Sequence, residues 1–160
     1  MKKESFPPIV DDNSKLLILG TMPGEQSLKA KEYYANSTNQ FWRILSAITG
    51  DNFQTDYSTK KDLLLKNKIA IWDVLMHCER EGSLDVNISD EYPNDFTSFF
   101  KKYPDISHIF FNGGKAEKCF KKYSLYDYSK KYNALPSTSS ANTSKTLNEK
   151  IKIWQNQIKK

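Results

Sequence analysis

The chain has 160 residues, of which 38% are hydrophobic and 27% charged, and this composition is typical of one compact globular domain. No apolar run approaches the roughly 20 residues that span a bilayer, and the first residues lack the apolar segment of a secretory signal, so we expect a cytoplasmic protein without a membrane partner. Residues 101–160 carry 13 Lys and Arg against 4 Asp and Glu, while residues 1–100 carry 11 against 15. A basic half slightly favours nucleic acid as the partner, although solvated lysines on helix faces explain any single basic run.

The first half of the chain predicts two strands and two helices. Short apolar runs indicate buried strands, and apolar residues at helical spacing indicate helices, one of which Gly50 ends. Residues 1–14 precede the first strand and are expected to be loosely ordered. In chain order, the predicted elements are a strand at 15–20, a helix at 39–49, a helix at 60–67, a strand at 69–75 and a polar loop at 78–90.

The second half continues the alternation of helices and strands. Asn94 is placed to cap a short helix that Pro104 closes, and a basic helix follows the turn at Gly113 and Gly114. In chain order, the predicted elements are a helix at 95–103, a strand at 107–112, a helix at 115–123, a strand near 130–134, a loop at 135–142 and a helix at about 144–157.

Strands that alternate with helices favour an α/β fold, with a short, mostly parallel central sheet covered on both faces, in a single domain over residues 1–160. Ligands of such sheets bind outside the carboxyl ends of the strands. This rule selects three loops, at residues 20–28, 112–114 and 135–142, which are all polar and rich in small residues. We therefore expect the functional site where these loops meet.

The titratable residues do not form a recognisable catalytic or metal-binding motif. His77, Cys78, His108 and Cys119 lack the spacing of zinc or iron–sulfur ligands, and we interpret them as structural, with metal binding the lesser alternative. No nucleophilic triad is visible. Asp73 lies within an apolar strand, either as a hydrogen-bonded structural carboxylate or as a group in the site, and we favour the structural interpretation.

The two glycine clusters also fail to match the nucleotide-binding motifs. The loop GTMPGEQS at 20–27 could hold an anion with backbone N–H groups, but its glycine spacing is not that of a dinucleotide or phosphate-binding loop. In NGGKA, at 112–116, alanine stands where a phosphate-binding loop needs Ser or Thr. A tight turn is the simpler interpretation of either cluster alone.

Five segments, taken together, carry a family resemblance. They are GTMPGEQSL at 20–28, YYANSTNQFW at 33–42, WDVLMHCEREGSLD at 72–85, FNGGKA at 111–116 and LPSTSSAN at 135–142. In this order they resemble the hypoxanthine-DNA (deoxyinosine) glycosylase family of the uracil-DNA glycosylase superfamily, over nearly the whole chain. The resemblance implies a three-layer α/β/α fold and a cofactor-free and metal-free, monofunctional enzyme. Such an enzyme hydrolyses the N-glycosidic bond of deaminated bases in DNA, hypoxanthine first, and we expect a monomer.

The resemblance also implies an unusual catalytic group. Superfamily relatives hold the attacking water with an Asp or Asn two residues past the first motif's glycine, where this chain has Met22, and Leu135 stands at the histidine of the last loop. The family that this chain resembles relies instead on an asparagine, and the matching residue in this sequence is Asn39. A carboxamide is no general base, but its carbonyl can accept a hydrogen bond from a water and orient it. The structural alternative for Asn39 is a helix N-cap, and the two roles can coexist.

The remaining site residues are predicted to bind the base and the DNA backbone. Tyr34 and Phe41 are candidates for stacking on the base, although Phe41 fits a helix core equally well. Asn112 is the candidate for reading the lactam edge that hypoxanthine and uracil share, with a strand-end turn as its alternative. The residues predicted to line the base pocket are Gly20, Thr21, Met22 and Pro23. Those predicted to bind the DNA backbone are Ser137, Thr138, Ser139, Asn142 and Lys115.

Two other functions remain open on the sequence alone. A uracil-preferring glycosylase belongs to the same class. A nucleic-acid-binding α/β domain with little or no catalysis fits as well, because the residues at both usual catalytic positions are apolar.

Overall fold

The computed structural model describes residues 2–158 as one α/β fold with two sheets. The strands are β1 (Lys2–Glu4), β2 (Leu16–Gly20), β3 (Ile69–Asp73), β4 (Leu75–Glu79), β5 (Ser89–Pro93), β6 (His108–Asn112) and β7 (Lys131–Leu135). The helices are α1 (Glu25–Ala30), α2 (Phe41–Thr49), α3 (Tyr57–Lys66), α4 (Phe96–Lys102), α5 (Gly114–Lys122) and α6 (Leu147–Ile158), with a 3₁₀ turn at Asp85–Asn87. None of these helices is long and apolar enough to cross a membrane.

Four parallel strands form the central sheet, in the order β3-β2-β6-β7. Successive side chains of a strand point to opposite faces. Leu17 and Leu19 accordingly pack with α4 and α5 on one face, whereas Ile18 packs with α2, α3 and α6 on the other. The burial of both faces explains why the inner strands are continuous apolar runs. The predicted three-layer α/β/α fold with its mostly parallel sheet is confirmed.

A second, antiparallel sheet with the order β1-β4-β5 was not expected from the sequence. The predicted strand at 69–75 is in fact two strands, because the chain changes sheets at Val74, whose N–H donates to the Gly20 carbonyl at 2.8 Å. The predicted polar loop at 78–90 is therefore wrong at both ends, because it overlaps the end of β4 and the start of β5. One face of this small sheet is open to solvent, with Met76 and Tyr92 about half exposed, so its strands do not form apolar runs.

The N-terminal segment also departs from the expected loose order. Strand β1 pairs with β4, and Ile9 exchanges two backbone hydrogen bonds of 3.0 Å with Ile71 of the edge strand β3. The Phe6 carbonyl accepts hydrogen bonds from the Trp72 ring N–H at 3.1 Å and from the Tyr33 hydroxyl at 3.2 Å. The segment thus covers an otherwise open sheet edge. Met1 lies outside the described residues.

The helix limits follow local capping chemistry. Gly50, with φ of 80°, ends α2 in the left-handed conformation as predicted. Helix α4 is capped by Asp95, whose carboxylate accepts the Ser98 N–H at 3.0 Å, and not by Asn94. Helix α6 begins later than predicted because Thr146 and Glu149 form a reciprocal capping box, with hydrogen bonds of 2.9 and 3.2 Å.

Candidate active site

A cavity of about 390 Å³ opens at the carboxyl ends of the parallel strands. All three loops selected from the sequence contribute to its wall, together with parts of the segments 33–39 and 83–85 and with Asp73. The predicted site residues that line it are Gly20, Thr21, Met22, Pro23, Tyr34, Asn39, Asn112, Ser137, Thr138, Ser139 and Asn142. Phe41 and Lys115 do not line it.

Asn39 lines the cavity and also serves the start of α2. Its side-chain Oδ1 accepts the Phe41 N–H at 2.9 Å and the Thr138 hydroxyl at 2.8 Å. Because a backbone N–H can only donate, this contact fixes which amide atom is the oxygen. Both lone pairs of Oδ1 are thus used by the protein, which corrects the predicted use of this carbonyl to hold a water. The Nδ2 group has no hydrogen-bond partner within residues 2–158.

Asn112 braces the site in this ligand-free structure, and its predicted role in reading the base stays a prediction. Its Nδ2 donates to the Tyr34 hydroxyl at 3.2 Å and to the Thr138 hydroxyl at 3.0 Å, and its Oδ1 accepts the Thr138 N–H at 2.9 Å. Neither amide hydrogen remains available to a base. Asn112 therefore connects the end of β6 to the last loop and to Tyr34.

Thr138 is the centre of this network. It is fully buried, its hydroxyl bridges Asn39 and Asn112, and its carbonyl accepts the Gln40 N–H at 2.9 Å. The predicted contact of Thr138 with DNA phosphates is wrong, because a fully buried side chain cannot reach them. Ser137, Ser139 and Asn142 of the same loop are partly exposed at the cavity.

Tyr34 provides an aromatic wall that Phe41 supports from behind. The two rings are stacked, with centroids 4.0 Å apart and planes at 15°, and Phe41 is fully buried. Phe41 thus belongs to the core, as the alternative prediction had it, and Tyr34 alone of the pair faces the cavity. Tyr34 has a φ of 55°, an uncommon conformation for a residue with a side chain, and the Phe41 stack and the Asn112 hydrogen bond hold it there.

The last loop is anchored by a buried cation. Lys150 of α6 is 1% exposed, and its ammonium donates to the Gln40 side-chain carbonyl at 2.8 Å and to the Asn142 carbonyl at 3.0 Å. Burial lowers the pKa of Lys150 from its usual value. This side chain connects the loop at 135–142 to the residue that precedes α2, so the two segments that surround Thr138 share one support.

Asp73 is the cavity residue whose role the sequence did not reveal. It ends β3, is 3% exposed, and its Oδ2 has no hydrogen-bond partner among the described residues. Burial, reinforced by the Asp85 carboxylate and opposed by the Arg80 guanidinium, raises the pKa of Asp73 to about 7. The only sequence signal is one carboxylate in an apolar strand, and a buried structural aspartate gives the same signal.

Arg80 connects two segments that line the cavity. Its side chain is fully buried, donates to the Pro23 carbonyl, and lies 3.6 Å from an Asp85 carboxylate oxygen. The Thr21 side chain lies near Asp85 and partly offsets the rise in the pKa of this carboxyl group that burial causes. These contacts tie the first strand-exit loop to the 3₁₀ turn, and neither contact has a spacing that a sequence motif would show.

Comparison with known proteins decides the family. The sequence model of a family described as the Uracil DNA glycosylase superfamily matches residues 7–157. The chain belongs to this superfamily. A protein of Methanosarcina barkeri named hypoxanthine DNA glycosylase is 40% identical over 117 residues, which cover 72% of this chain and 74% of that protein. A protein of the same name from Methanosarcina acetivorans is 39% identical over 143 residues, which cover 89% of each chain.

A solved structure supports the same assignment. The solution NMR structure of a candidate uracil DNA glycosylase from Methanosarcina acetivorans has a TM-score of 0.79 and 35% identity to this chain. The similarity covers 98% of both chains. The fold of this superfamily member is thus shared over its full described length.

The two unusual positions of this uracil DNA glycosylase superfamily member are filled by core side chains. Met22 is 8% exposed and packs in the cluster beneath α4 and α5, and Leu135 is 2% exposed and packs in the cluster beneath α2 and α6. Neither residue can hydrogen bond a water or a base. Tyr34, Asn39 and Asp73 are among the polar side chains that line the cavity and could take part in its chemistry.

The cysteines and histidines lie away from this chemistry. Cys78 and Cys119 are buried free thiols, His77 packs on the Tyr92 ring at 4.5 Å, and His108 hydrogen bonds the Asn133 side chain at 2.7 Å. Within residues 2–158, no three His, Cys, Asp or Glu side chains are grouped so that they could hold a metal ion.

Proposed function

We propose that the chain is a monofunctional DNA glycosylase that hydrolyses the N-glycosidic bond of flipped-out deaminated bases, hypoxanthine first, in base-excision repair. Relatives 39% and 40% identical to it carry the name hypoxanthine DNA glycosylase. The observation that carries the proposal is the position of Asn39, which lines the cavity and whose Nδ2 group has no hydrogen-bond partner among the described residues. We further propose that it acts as a cytoplasmic monomer without a cofactor.

The chemistry follows from the orientation of the Asn39 amide. Glycosidic cleavage leaves an oxocarbenium-like sugar and a base that gains negative charge as the bond breaks. With its oxygen engaged by Phe41 and Thr138, Asn39 acts as a donor. One N–H stabilises the charge on the departing base, and the other binds the oxygen of the attacking water. If the bond is largely broken before attack, the water needs positioning more than prior deprotonation. The proton that the water loses on attack then neutralises the departing base, so the products are the free base and the abasic sugar.

Base flipping accounts for the aromatic wall. An enzyme that acts on a base in a duplex must rotate the nucleotide out of the stack, which costs a few kcal/mol. Stacking on one aromatic ring returns about 1–3 kcal/mol per base. Tyr34, supported by Phe41, offers that aromatic face. The cavity volume of about 390 Å³ suits one base better than a dinucleotide.

The rim of the cavity supplies the contacts to the DNA backbone. Ser137, Ser139 and Asn142 are partly exposed there and carry hydroxyl and amide groups that suit phosphate oxygens. Lys115 is exposed at the start of α5, and its charge opposes slightly the rise in the pKa of Asp85 that burial causes, so it lies within electrostatic reach of this cavity residue. It provides attraction to DNA that does not depend on sequence.

Two alternatives have specific support. A uracil preference is favoured by the structural relative described as a candidate uracil DNA glycosylase. A non-catalytic DNA-binding role is favoured by Met22 and Leu135, the apolar residues at the usual catalytic positions.

A lesion panel separates the three functions. The panel consists of duplex oligonucleotides that carry one deoxyinosine, one deoxyuridine or no lesion, and the measurement is release of free base under single-turnover conditions. We expect hypoxanthine to be released fastest. Faster release of uracil would establish the first alternative, and duplex binding without release of any base would establish the second.

Thr138→Val tests the positioning network. This substitution keeps the side-chain shape but removes the hydroxyl that bridges Asn39 and Asn112. We expect base release to slow about tenfold and the free energy of unfolding to fall by about 1–3 kcal/mol, because a buried N–H of Asn112 loses its acceptor. Thr138→Ser keeps the hydroxyl and should restore the rate. Equal loss in both variants would assign the effect to packing and contradict the positioning role.

A further inference from the structure

The wall of the cavity next to Gly20 carries an acid that neither the mechanism nor the fold uses. Asp73 is 3% exposed, and its Oδ2 has no partner among residues 2–158. Burying a polar atom without a partner is costly, and native proteins keep few such atoms. This oxygen is itself buried, but Asp73 lines the cavity, so a turn of the carboxyl group would bring Oδ2 to a ligand there that supplies the missing hydrogen bond.

Gly20 makes room for this carboxyl group. A Cβ atom at position 20 would lie 2.5 Å from Asp73 Oδ1 and 3.0 Å from the Tyr34 hydroxyl, both closer than real contacts allow. The carboxyl group therefore occupies the space that a side chain would otherwise fill at the end of β2. The acid and the aromatic wall thus meet at one end of the cavity.

Two side-chain amides that line the cavity, those of Asn39 and Asn112, are already engaged within the protein. Both N–H groups of Asn112 are engaged by Tyr34 and Thr138, and the carbonyl of Asn39 is engaged by Phe41 and Thr138. A lactam edge, with a ring N–H beside an exocyclic carbonyl, needs one acceptor and one donor side by side. A neutral carboxylic acid has both in one group.

We propose that Asp73 reads the lactam edge of the flipped base as a neutral carboxylic acid, its carbonyl oxygen accepting the ring N–H and its O–H donating to the exocyclic oxygen. This assignment rests on the proposed glycosylase function and names the specificity-determining residue of the same site. It explains why one acid suits both hypoxanthine and uracil, because the two bases share that edge.

The charge state of Asp73 then decides which bases are accepted. An ionised carboxylate presents two acceptors and would match the adjacent N–H groups of guanine, a normal base. The neutral acid fits the lactam edge, but it has only one acceptor. One of the two adjacent N–H groups of guanine would therefore have no partner. Adenine has the reverse pattern of donor and acceptor, and the acid matches it only if its proton moves to the other oxygen. In addition, adenine in a matched pair costs more to extrude than a mispaired base does.

The surroundings of Asp73 favour the neutral form. Burial and the Asp85 carboxylate raise its pKa to about 7, while the Arg80 guanidinium on the other side acts in the opposite direction. The remaining titratable groups that face it are the Tyr33 and Tyr34 hydroxyls, whose own pKa values are raised, mainly by burial, so they stay neutral. A bound lactam stabilises the neutral acid further, and recognition should weaken as the pH rises through the folded pKa.

Asp73→Asn and Asp73→Leu separate edge reading from other roles. Asparagine presents an acceptor and a donor at every pH, as the neutral acid does, whereas leucine presents neither. We expect Asp73→Asn to keep hypoxanthine release within about tenfold of the unchanged protein, and Asp73→Leu to lose about 10- to 100-fold. Between pH 6 and 8, release by the unchanged protein should fall and release by Asp73→Asn should stay level. Thermal unfolding of both variants is measured alongside.

Two results would overturn the assignment. Equal loss in both variants would show that Asp73 acts as an ionised base or as a structural carboxylate, and full activity in both would show that it does not contact the base. Calorimetric binding of the free bases hypoxanthine and guanine provides a readout that does not need catalysis. A preference for hypoxanthine that Asp73→Leu abolishes supports edge reading even if no lesion is cleaved, and equal affinity for the two bases contradicts it.

Discussion

Asn39→Ala should slow single-turnover release of hypoxanthine by about 100- to 1,000-fold, the usual cost of removing one preorganised donor from an active site. Duplex affinity should change little, because the proposed contacts of this residue are with the base and the water and not with the DNA backbone. The substitution also removes the oxygen that accepts the Phe41 N–H at the start of α2. We therefore expect the free energy of unfolding to fall by about 1 kcal/mol, as for other lost helix caps.

Asn39→Asp is the matched control for this prediction. A carboxylate still accepts hydrogen bonds from Phe41 and Thr138, so the helix start and the stability should be preserved. It replaces the Nδ2 donor by a second acceptor, so base release should stay as slow as in the alanine variant. Rapid release by Asn39→Asp would show that the residue works as an acceptor for the water and would contradict the donor role.

Gly20→Ala should reduce base release by about 100-fold, because displacements near 1 Å at a catalytic site cost about that much. The new Cβ would lie 2.5 Å from Asp73 Oδ1, so either the acid or the strand end must move. Both neighbours are short or ring-stacked side chains in a buried wall, with little freedom to yield. The measurement is the single-turnover rate on deoxyinosine duplexes, with thermal unfolding as a check on folding.

Gly24→Ala offers a control in the same loop. A Cβ there would meet only the Ser83 side chain, at 3.5 Å, which is an ordinary contact. The backbone at Gly24 has a φ of −73°, which any residue can adopt. We expect this variant to be nearly as active as the unchanged protein. A similar loss in both variants would mean that the loop, and not the contact with Asp73, controls the rate.

The central sheet could be predicted because each of its buried strands gives a signal within a few consecutive residues. Strands β2 and β6 are short apolar runs, since both faces of the sheet are covered, and their exit loops must meet at one edge. The antiparallel sheet could not be predicted in the same way. Strand β5 is mostly exposed and β1 is three residues long, so neither has an apolar period.

The site was only partly predictable, because a residue's type does not show what its atoms contact. The positions of Asn39 and Tyr34 followed from the family resemblance, but Asn112 was given the role of reading the base. The sequence could not show that Thr138 and Tyr34, far from Asn112 in sequence, use its hydrogen-bonding groups in the ligand-free structure. Asp73 was interpreted as structural for the same reason, since only the fold shows that a residue lining the cavity keeps a buried, unpaired oxygen.

The single ammonium of Lys150 has a consequence for how the protein meets its substrate. It joins the rim segment that carries Asn142 to Gln40, the neighbour of Asn39, so one side chain links the parts that would touch the backbone and the nucleoside. We therefore expect these parts to keep their arrangement when DNA binds. The distortion that recognition requires is then borne by the double helix, and weakly paired lesions should be found faster than well-paired ones, whatever their chemistry.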